Sequence, residues 1–242
     1  MLPPLLRLVR IENSLLVSIA IIAGQIMSIG KIPDLFFILF SIIPPFLETM
    51  GAFAANDYFD IETDGTLNRT DRPLVSGEFS KAFAIKFAIL CYAIAIVSSW
   101  FVNSLAFITI VVFALISFSY SFKVKRVQVI GSIFVASAMA VPFIYGSFSL
   151  NVWPPASVIV ATIILLILGI AREFVLTTRD IRGDKAAGIK TLPMIIGPRK
   201  TLWVAAILFW IGMALTLYPF LKLEKFYYKL RYWCRWCFSC FI

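Results

Sequence analysis

The chain has 242 residues, 61% of them hydrophobic and only 14% charged, with a net charge of +9. Soluble globular domains are less apolar than this, so the composition indicates a helical membrane protein. Nucleic-acid binding is the weaker explanation of the positive charge, because the sequence contains no soluble basic domain to carry it.

Charge-free windows predict the membrane-spanning helices in chain order. The windows are residues 13–30, 35–56 (interrupted by Glu48), 87–122, 127–171 and 201–221. The third is long enough for two helices that turn near Asn103, and the fourth for two that turn at residues 153–155. Each resulting span is close to the ~20 residues that a helix needs to cross the hydrocarbon region. The predicted fold class is therefore all-α, a polytopic membrane bundle of about seven spans.

The distribution of basic residues predicts the orientation of these spans. With the N-terminus inside, 16 of the 22 lysines and arginines lie on the cytoplasmic side, as the positive-inside rule expects. The first three outer segments then carry only Lys31. We therefore expect a multi-pass protein of the cell membrane in which the connections after even-numbered spans are cytoplasmic.

Two acidic motifs follow the second and the sixth span, on this cytoplasmic side. The first consists of Asn56, Asp57, Asp60 and Asp64, and the second of Asp180 and Asp184. Clustered carboxylates are costly next to a membrane, and a bound hard cation is the usual compensation. Residues four apart lie on one face of a helix, and this spacing recurs within each motif. We predict that the five aspartates are catalytic ligands of Mg²⁺, that Asn56 assists them, and that the metal bridges to a polyphosphate.

Basic residues near the motifs are candidates for binding the phosphates. Those expected to hold a diphosphate are Arg69, Arg72, Arg172 and Lys185. Those expected to bind the phosphate of an acceptor are Lys123, Lys125 and Arg126. Glu48, which lies inside a span, is expected to face a cavity or to pair with a polar neighbour. The chain has no histidine but 23 phenylalanines, which favours a mechanism driven by an allylic cation in an aromatic cavity over acceptor deprotonation by a histidine base.

These motifs resemble those of the UbiA family of intramembrane prenyltransferases. Asn56-Asp57-x-x-Asp60-x-x-x-Asp64 is similar to the first family motif, and Asp180-x-x-x-Asp184 is similar to the second. The segment Tyr120–Lys123 resembles the tyrosine and lysine that follow the fourth span of the family. The resemblance implies a helical bundle of nine spans with a central cavity, a cytoplasmic cap, and Mg²⁺ that holds a prenyl diphosphate.

Within the family, the loops after the two motifs are most similar to those of the archaeal ether-lipid synthases. The similar segments are residues 68–77 and residues 172–193. This resemblance implies transfer of a geranylgeranyl group from its diphosphate to the hydroxyl of geranylgeranylglyceryl phosphate, in archaeal phospholipid biosynthesis. The chain departs from the pattern at Thr177, Arg179 and Arg182, where those synthases tend to carry acids, which lowers the metal affinity expected at the second motif.

The C-terminal segment breaks the pattern of the spans before it. Residues 1–221 are expected to form the prenyltransferase domain, and residues 222–242 an atypical basic tail at the interface. Cys234, Cys237 and Cys240 lie in this tail with a C-x2-C-x2-C spacing, but the fourth ligand of an iron–sulfur site is absent. A truncated or frame-shifted end is an alternative explanation, since two spans of the family pattern are missing.

Three other functions stay open at the level of sequence. The first is transfer to an aromatic or chlorophyllide acceptor by the same family. The second is a cation transporter, which would place acidic residues near the bilayer midplane. The third is an inactive membrane scaffold, which the missing spans make plausible.

Overall fold

The computed structural model describes residues 3–66, 68–122, 128–186, 188 and 190–222, and within these ranges all regular structure is helical. Seven of the helices are long and apolar enough to cross a membrane. In chain order, the helices of the described residues are α1 (Pro4–Leu8), α2 (Ile11–Ile29), α3 (Leu35–Thr66), α4 (Lys81–Val102), α5 (Ser104–Phe122), α6 (Gln128–Ser149), α7 (Ala156–Arg179), α8 (Ile181–Ala186), α9 (Leu192–Ile196) and α10 (Pro198–Lys222). The predicted all-α bundle of seven spans is confirmed.

The predicted turns between spans also occur where the sequence places them. Asn103 separates α4 from α5, and its side-chain oxygen accepts a hydrogen bond from the N–H of Ala106 at 2.9 Å. The connection between α6 and α7 contains Trp153 and the two prolines that follow it. Asn103 thus caps the start of α5, and two further helices begin at side-chain caps, because Asp34 accepts from the N–H of Phe36 and Ser80 accepts from the N–H of Phe83. The predicted tail lies outside the described residues from position 223 onwards.

Packing arranges the long helices around a central space. Helix α10 packs on α7, α7 on α6, α6 on α2, α2 on α3, and α3 on both α4 and α5. A further contact between α5 and α6 completes a ring of α2, α3, α5 and α6. This ring surrounds the central cavity that the family resemblance implies.

Two glycines allow the closest approach in the ring, between α2 and α6. A Cβ atom on Gly24 would lie 2.3 Å from the carbonyl oxygen of Phe143, and one on Gly146 would lie 2.5 Å from that of Ile21. Both distances are too short for any side chain, so only glycine fits at these crossings. Small residues at such positions are the usual device for packing membrane helices, since lipid supplies no hydrophobic driving force between them.

Candidate functional site

A cavity of about 550 Å³ lies inside the ring of helices. Its lining residues come from α2, α3, α5 and α6 along much of their length, and from α7 at one end only. That end carries Asn56 of the first motif together with Arg172 and Glu173. The opposite end is lined by Pro45 and Tyr145. The cavity therefore runs from the first acidic motif toward the far side of the bundle.

The first motif holds a buried carboxylate between two arginines. Asp57 is 1% exposed, and its Oδ1 atom accepts hydrogen bonds from Arg72 at 2.9 Å and from Arg10 at 3.4 Å. The other carboxylate oxygen, Oδ2, is buried and has no hydrogen-bond partner. A buried charge is tolerated only when it is paired, so the two guanidinium groups compensate this carboxylate.

A second carboxylate of the same motif shares these cations. Asp64 is buried, and its oxygens lie 3.6 Å from Arg69 and 3.8 Å from Arg72. Asp57 and Asp64 are seven residues apart, which is two helical turns, so they lie on one face of α3. Asn56 points into the cavity, and Asp60, one turn further along, is half-buried. The motif thus presents Asp57 and Asp64 to arginines and Asn56 to the cavity.

The loop after α3 is fastened over the first motif. Arg69 and Arg72 belong to this loop, and the next two residues of the loop, Pro73 and Leu74, are buried. The N-terminal segment holds the loop from the other side, because Arg7 donates to Glu78 at 2.6 Å and to the carbonyl oxygen of Asp71 at 3.2 Å. These contacts form a cap over one end of the bundle.

Arg10 is a site residue that the sequence interpretation missed, since it counted there only toward the orientation of the spans. It lies in the left-handed region, with φ 45° and ψ 61°, immediately before α2. Few non-glycine residues adopt this conformation. Its guanidinium lies 4.6 Å from the centre of the Phe53 ring and lines the cavity. Burial, and secondarily the nearby charge of Arg72, lowers the pKa of Arg10 from its usual value.

The second motif is built at a break between two helices. Asp180 ends α7 with its side chain 56% exposed and paired to Arg179 at 3.2 Å. Asp184 lies in the short helix α8, and its N–H donates to the carbonyl oxygen of Asp180 at 3.0 Å. This bond preserves the helical spacing of the two aspartates across the break.

Asp184 is the more enclosed of the two aspartates. Its Oδ2 atom is buried without a hydrogen-bond partner. Burial, with a further contribution from the charge of Asp180, raises the pKa of Asp184 to about 6. The neighbouring Lys185 is exposed, so it is available to an anion that approaches from outside the bundle.

Arg172 and Glu173 bring a second ion pair to the same end of the cavity. Their side chains are joined at 2.8 Å, and both line the cavity. Arg172 was predicted from the sequence. Glu173 was not, because an acid next to an arginine at a helix end is typical of an ordinary solvated boundary.

Aromatic side chains form one wall of the cavity. The rings of Tyr120 and Phe134 stack with their centres 4.3 Å apart, and Phe113 stacks on Phe134 at 6.1 Å. All three line the cavity. Lys123, Lys125 and Arg126, which were predicted to bind the acceptor phosphate, lie outside the described residues.

Glu48 confirms the expectation that an acid inside a span needs a polar neighbour or a cavity, because it has both. It is 6% exposed and lines the cavity. Its Oε1 atom accepts a hydrogen bond from the Ser117 hydroxyl at 2.7 Å, and that hydroxyl lies 3.0 Å from the hydroxyl of Tyr92. This network joins α3, α4 and α5 inside the bundle.

Within the described ranges, no group of three or more acidic or cysteine side chains is close enough to hold a metal ion by itself. The donor chemistry nevertheless fits a hard cation. Each motif carries one buried carboxylate oxygen without a partner, Oδ2 of Asp57 and Oδ2 of Asp184. Oxygen ligands are what Mg²⁺ prefers, and it binds through few carboxylates when phosphate oxygens complete its coordination.

Two curated proteins illustrate what the chain is similar to. A digeranylgeranylglyceryl phosphate synthase from Pyrococcus furiosus is 34% identical over 202 residues, covering 84% of this chain and 72% of that protein. One from Archaeoglobus fulgidus is 28% identical over 225 residues, covering 93% of this chain and 77% of that protein.

Solved structures have the same fold. A structure of a digeranylgeranylglyceryl phosphate synthase superposes with a TM-score of 0.76 at 29% identity, covering 90% of this chain and 77% of that one. A UbiA homolog from Archaeoglobus fulgidus bound to GPP and Mg²⁺ superposes with a TM-score of 0.77 at 24% identity, covering 92% and 79%. The UbiA prenyltransferase family itself matches residues 16–231. The chain is a multi-pass membrane protein that belongs to the UbiA prenyltransferase family.

Proposed function

We propose that this protein is a Mg²⁺-dependent intramembrane prenyltransferase. It moves a geranylgeranyl group from geranylgeranyl diphosphate to the hydroxyl of geranylgeranylglyceryl phosphate. The observation that carries the proposal is the cavity, whose mostly apolar lining ends on one side at Arg10, Arg172 and Asn56 of the first motif. The curated relatives described above are synthases named for the product of this reaction.

The two acidic motifs would hold the metal. The proposed ligands are Asn56, Asp57, Asp60, Asp64, Asp180 and Asp184. Mg²⁺ bound there would neutralise the negative charge that develops on the diphosphate as its bond to carbon breaks. The free oxygens of Asp57 and Asp184 support the assignment, because a buried carboxylate oxygen without a donor is costly until it gains a partner.

Arginines hold the carboxylates in place and supply charge for the diphosphate. Arg10 and Arg72 already converge on Asp57, so their guanidinium groups sit beside the metal ligands before any substrate arrives. Arg69 and Arg172 add positive charge at the same end, and Lys185 is exposed next to the second motif. Preorganised cations of this kind stabilise a leaving group without reorganisation during the reaction. The acceptor phosphate is assigned to Lys123, Lys125 and Arg126 from the sequence.

The cavity would bind the prenyl chain and protect the reacting carbon from water. The bond between the first prenyl carbon and the diphosphate oxygen breaks, and that carbon forms a bond to the acceptor hydroxyl oxygen. The aromatic wall around Phe134 presents ring faces that attract the cationic carbon. Glu173, which lines this end of the cavity, would take the hydroxyl proton.

The distribution of basic residues supports a site on the cytoplasmic side of the membrane. Orienting the N-terminus inside places both motifs and the cap in the cytoplasm. We infer that residues 1–221 form the catalytic domain and that residues 222–242 contribute no ligand to it. A transporter is the weaker alternative, because among the described acids only Glu48 lies well inside a span.

A transfer assay tests the proposal and separates it from its rivals. Purified protein with Mg²⁺ is incubated with radiolabelled geranylgeranyl diphosphate and one of three acceptors: geranylgeranylglyceryl phosphate, an aromatic acid or chlorophyllide. We expect a labelled ether product with the first acceptor and its loss in EDTA. Asp57→Asn is the matched inactive control, since it keeps the shape of the side chain but removes its charge. Transfer to another acceptor, or full activity in EDTA, would overturn the proposal.

A further inference from the structure

The cavity ends at a defined depth. Its lining on α3 runs from Asn56 to Pro45, eleven residues, which is about 17 Å along a helix. The lining of α2 ends at Ala20, and that of α6 ends at Tyr145. These three residues are on the side of the bundle away from the acidic motifs, and they mark the end of the cavity.

Tyr145 is the largest side chain at this end and is held firmly. It is 2% exposed and packs in one buried cluster with Ile21 and Ile110. Its hydroxyl donates a hydrogen bond to the carbonyl oxygen of Ser41 at 3.0 Å. The ring therefore has packing on its faces and a polar anchor at its tip.

The anchor exists because of a proline in α3. The carbonyl of Ser41 would normally accept from the N–H of residue 45, but Pro45 has no N–H to donate. A backbone carbonyl without a partner inside the hydrocarbon region is costly. The Tyr145 hydroxyl supplies the missing donor. Pro45, which lines the cavity, therefore also fixes the position of the Tyr145 ring.

Beyond Tyr145 the interior is filled and polar. Gln25 is fully buried and donates to the hydroxyl oxygens of Ser41 at 2.8 Å and Ser149 at 3.0 Å. The hydroxyls of Ser28 and Ser147 lie 2.7 Å apart in the same region. A hydrocarbon chain gains nothing by entering a layer whose hydrogen bonds it would have to break.

We propose that Tyr145 is a specificity-determining residue that sets the upper limit on the length of the donor's prenyl chain. The inference rests on the proposed function, because it assumes that the donor chain extends down the cavity from a diphosphate held at the acidic motifs. The ring ends the apolar path, and the polar layer behind it makes a longer path unfavourable. Prenyl diphosphates that reach past the ring are therefore excluded.

Binding measurements on the full chain test this directly. Dissociation constants are measured with Mg²⁺ for prenyl diphosphates of two, three, four and five isoprene units, using wild type and three variants. Tyr145→Phe keeps the ring and should keep the wild-type length preference. Tyr145→Ala removes the ring and should improve the affinity for five units relative to three by about tenfold or more. Ala20→Phe fills the same end from α2 and should shift the preference toward shorter donors.

The outcomes separate the inference from the proposed function. If the affinity for five units relative to three is unchanged in both Tyr145→Ala and Ala20→Phe, the proposed role of Tyr145 is overturned. If Tyr145→Ala protein does not accumulate, the result for Ala20→Phe decides alone. If the affinity of wild-type protein for donors depends on their length but the protein forms no labelled product, the proposed function would be refuted instead. Failure of wild type to bind any prenyl diphosphate would refute both.

Discussion

Replacing Arg72 tests whether the paired arginines both build the site and hold the substrate. Arg72 contacts Asp57 at 2.9 Å and Asp64 at 3.8 Å, and its side chain is only 14% exposed. Removing one partner of a buried ion pair costs about 3–5 kcal/mol, because the other charge is left uncompensated. Arg10 remains 3.4 Å from Asp57, so we expect Arg72→Ala to destabilise the protein by about 3 kcal/mol, the lower end of that range.

The same variant should lose activity in a specific way. Arg72 is assigned to the diphosphate, and loss of one preorganised charge at a leaving group lowers kcat by about 100-fold or more. Arg72→Lys keeps the charge but cannot place separate nitrogens on two carboxylates, so it should recover part of the stability and little of the activity. Thermal unfolding in detergent and steady-state transfer kinetics give the two readouts.

A double-mutant cycle identifies the cause of the destabilisation. If the ion pair is responsible, Asp57→Asn combined with Arg72→Gln should destabilise less than the sum of the two single changes, by at least about 1 kcal/mol. Additive effects, or an Arg72→Ala protein with wild-type stability and wild-type kcat, would refute the reasoning. Arg199→Ala is the matched control, since this arginine is exposed at the start of α10.

Four further predictions follow from the same geometry. The proposed metal site uses the ionised form of Asp184, whose pKa is raised to about 6. Mg²⁺ affinity should therefore fall as the pH is lowered through 6, and a titration with flat affinity between pH 5 and 8 would contradict this. Glu173→Gln should lower kcat by about 100-fold with little change in the donor KM, and an equal loss in KM would assign Glu173 to binding instead. Lys123→Ala should raise the KM of the acceptor more than that of the donor, and equal effects would exclude the acceptor assignment. Deleting residues 222–242 should leave membrane insertion and Mg²⁺ binding unchanged, and loss of stable protein or of bound zinc or iron would refute that expectation.

The sequence predicted the features that depend on local composition. Span positions follow from the cost of burying charge in lipid, which any uncharged window of sufficient length reveals. The two turns at Asn103 and at residues 153–155 were visible for the same reason. The acidic motifs stood out because carboxylates are rare beside apolar spans and recur here with helical spacing.

Site residues without such a local signal were missed. Arg10 reads as an ordinary positive charge at a cytoplasmic boundary, and Glu173 as the partner of a neighbouring arginine. Tyr145 resembles any aromatic residue inside a span. Each of them is near the site because of contacts with residues distant in the chain. Arg10 donates to Asp57, Tyr145 donates to the carbonyl oxygen of Ser41, and Glu173 lines a cavity formed mainly by other helices.

By itself the sequence determined that the chain crosses the membrane as helices, and where its charged groups lie along them. Both follow from the energetics of transfer into lipid, which depends on each segment separately. Only the tertiary structure decided which helices enclose the cavity and how deep it runs. Those properties depend on contacts between helices far apart in sequence, such as the crossing at Gly24 and Gly146. Close packing there brings α2 and α6 together, and it leaves a space between them, α3 and α5 that Pro45 and Tyr145 line at the far end.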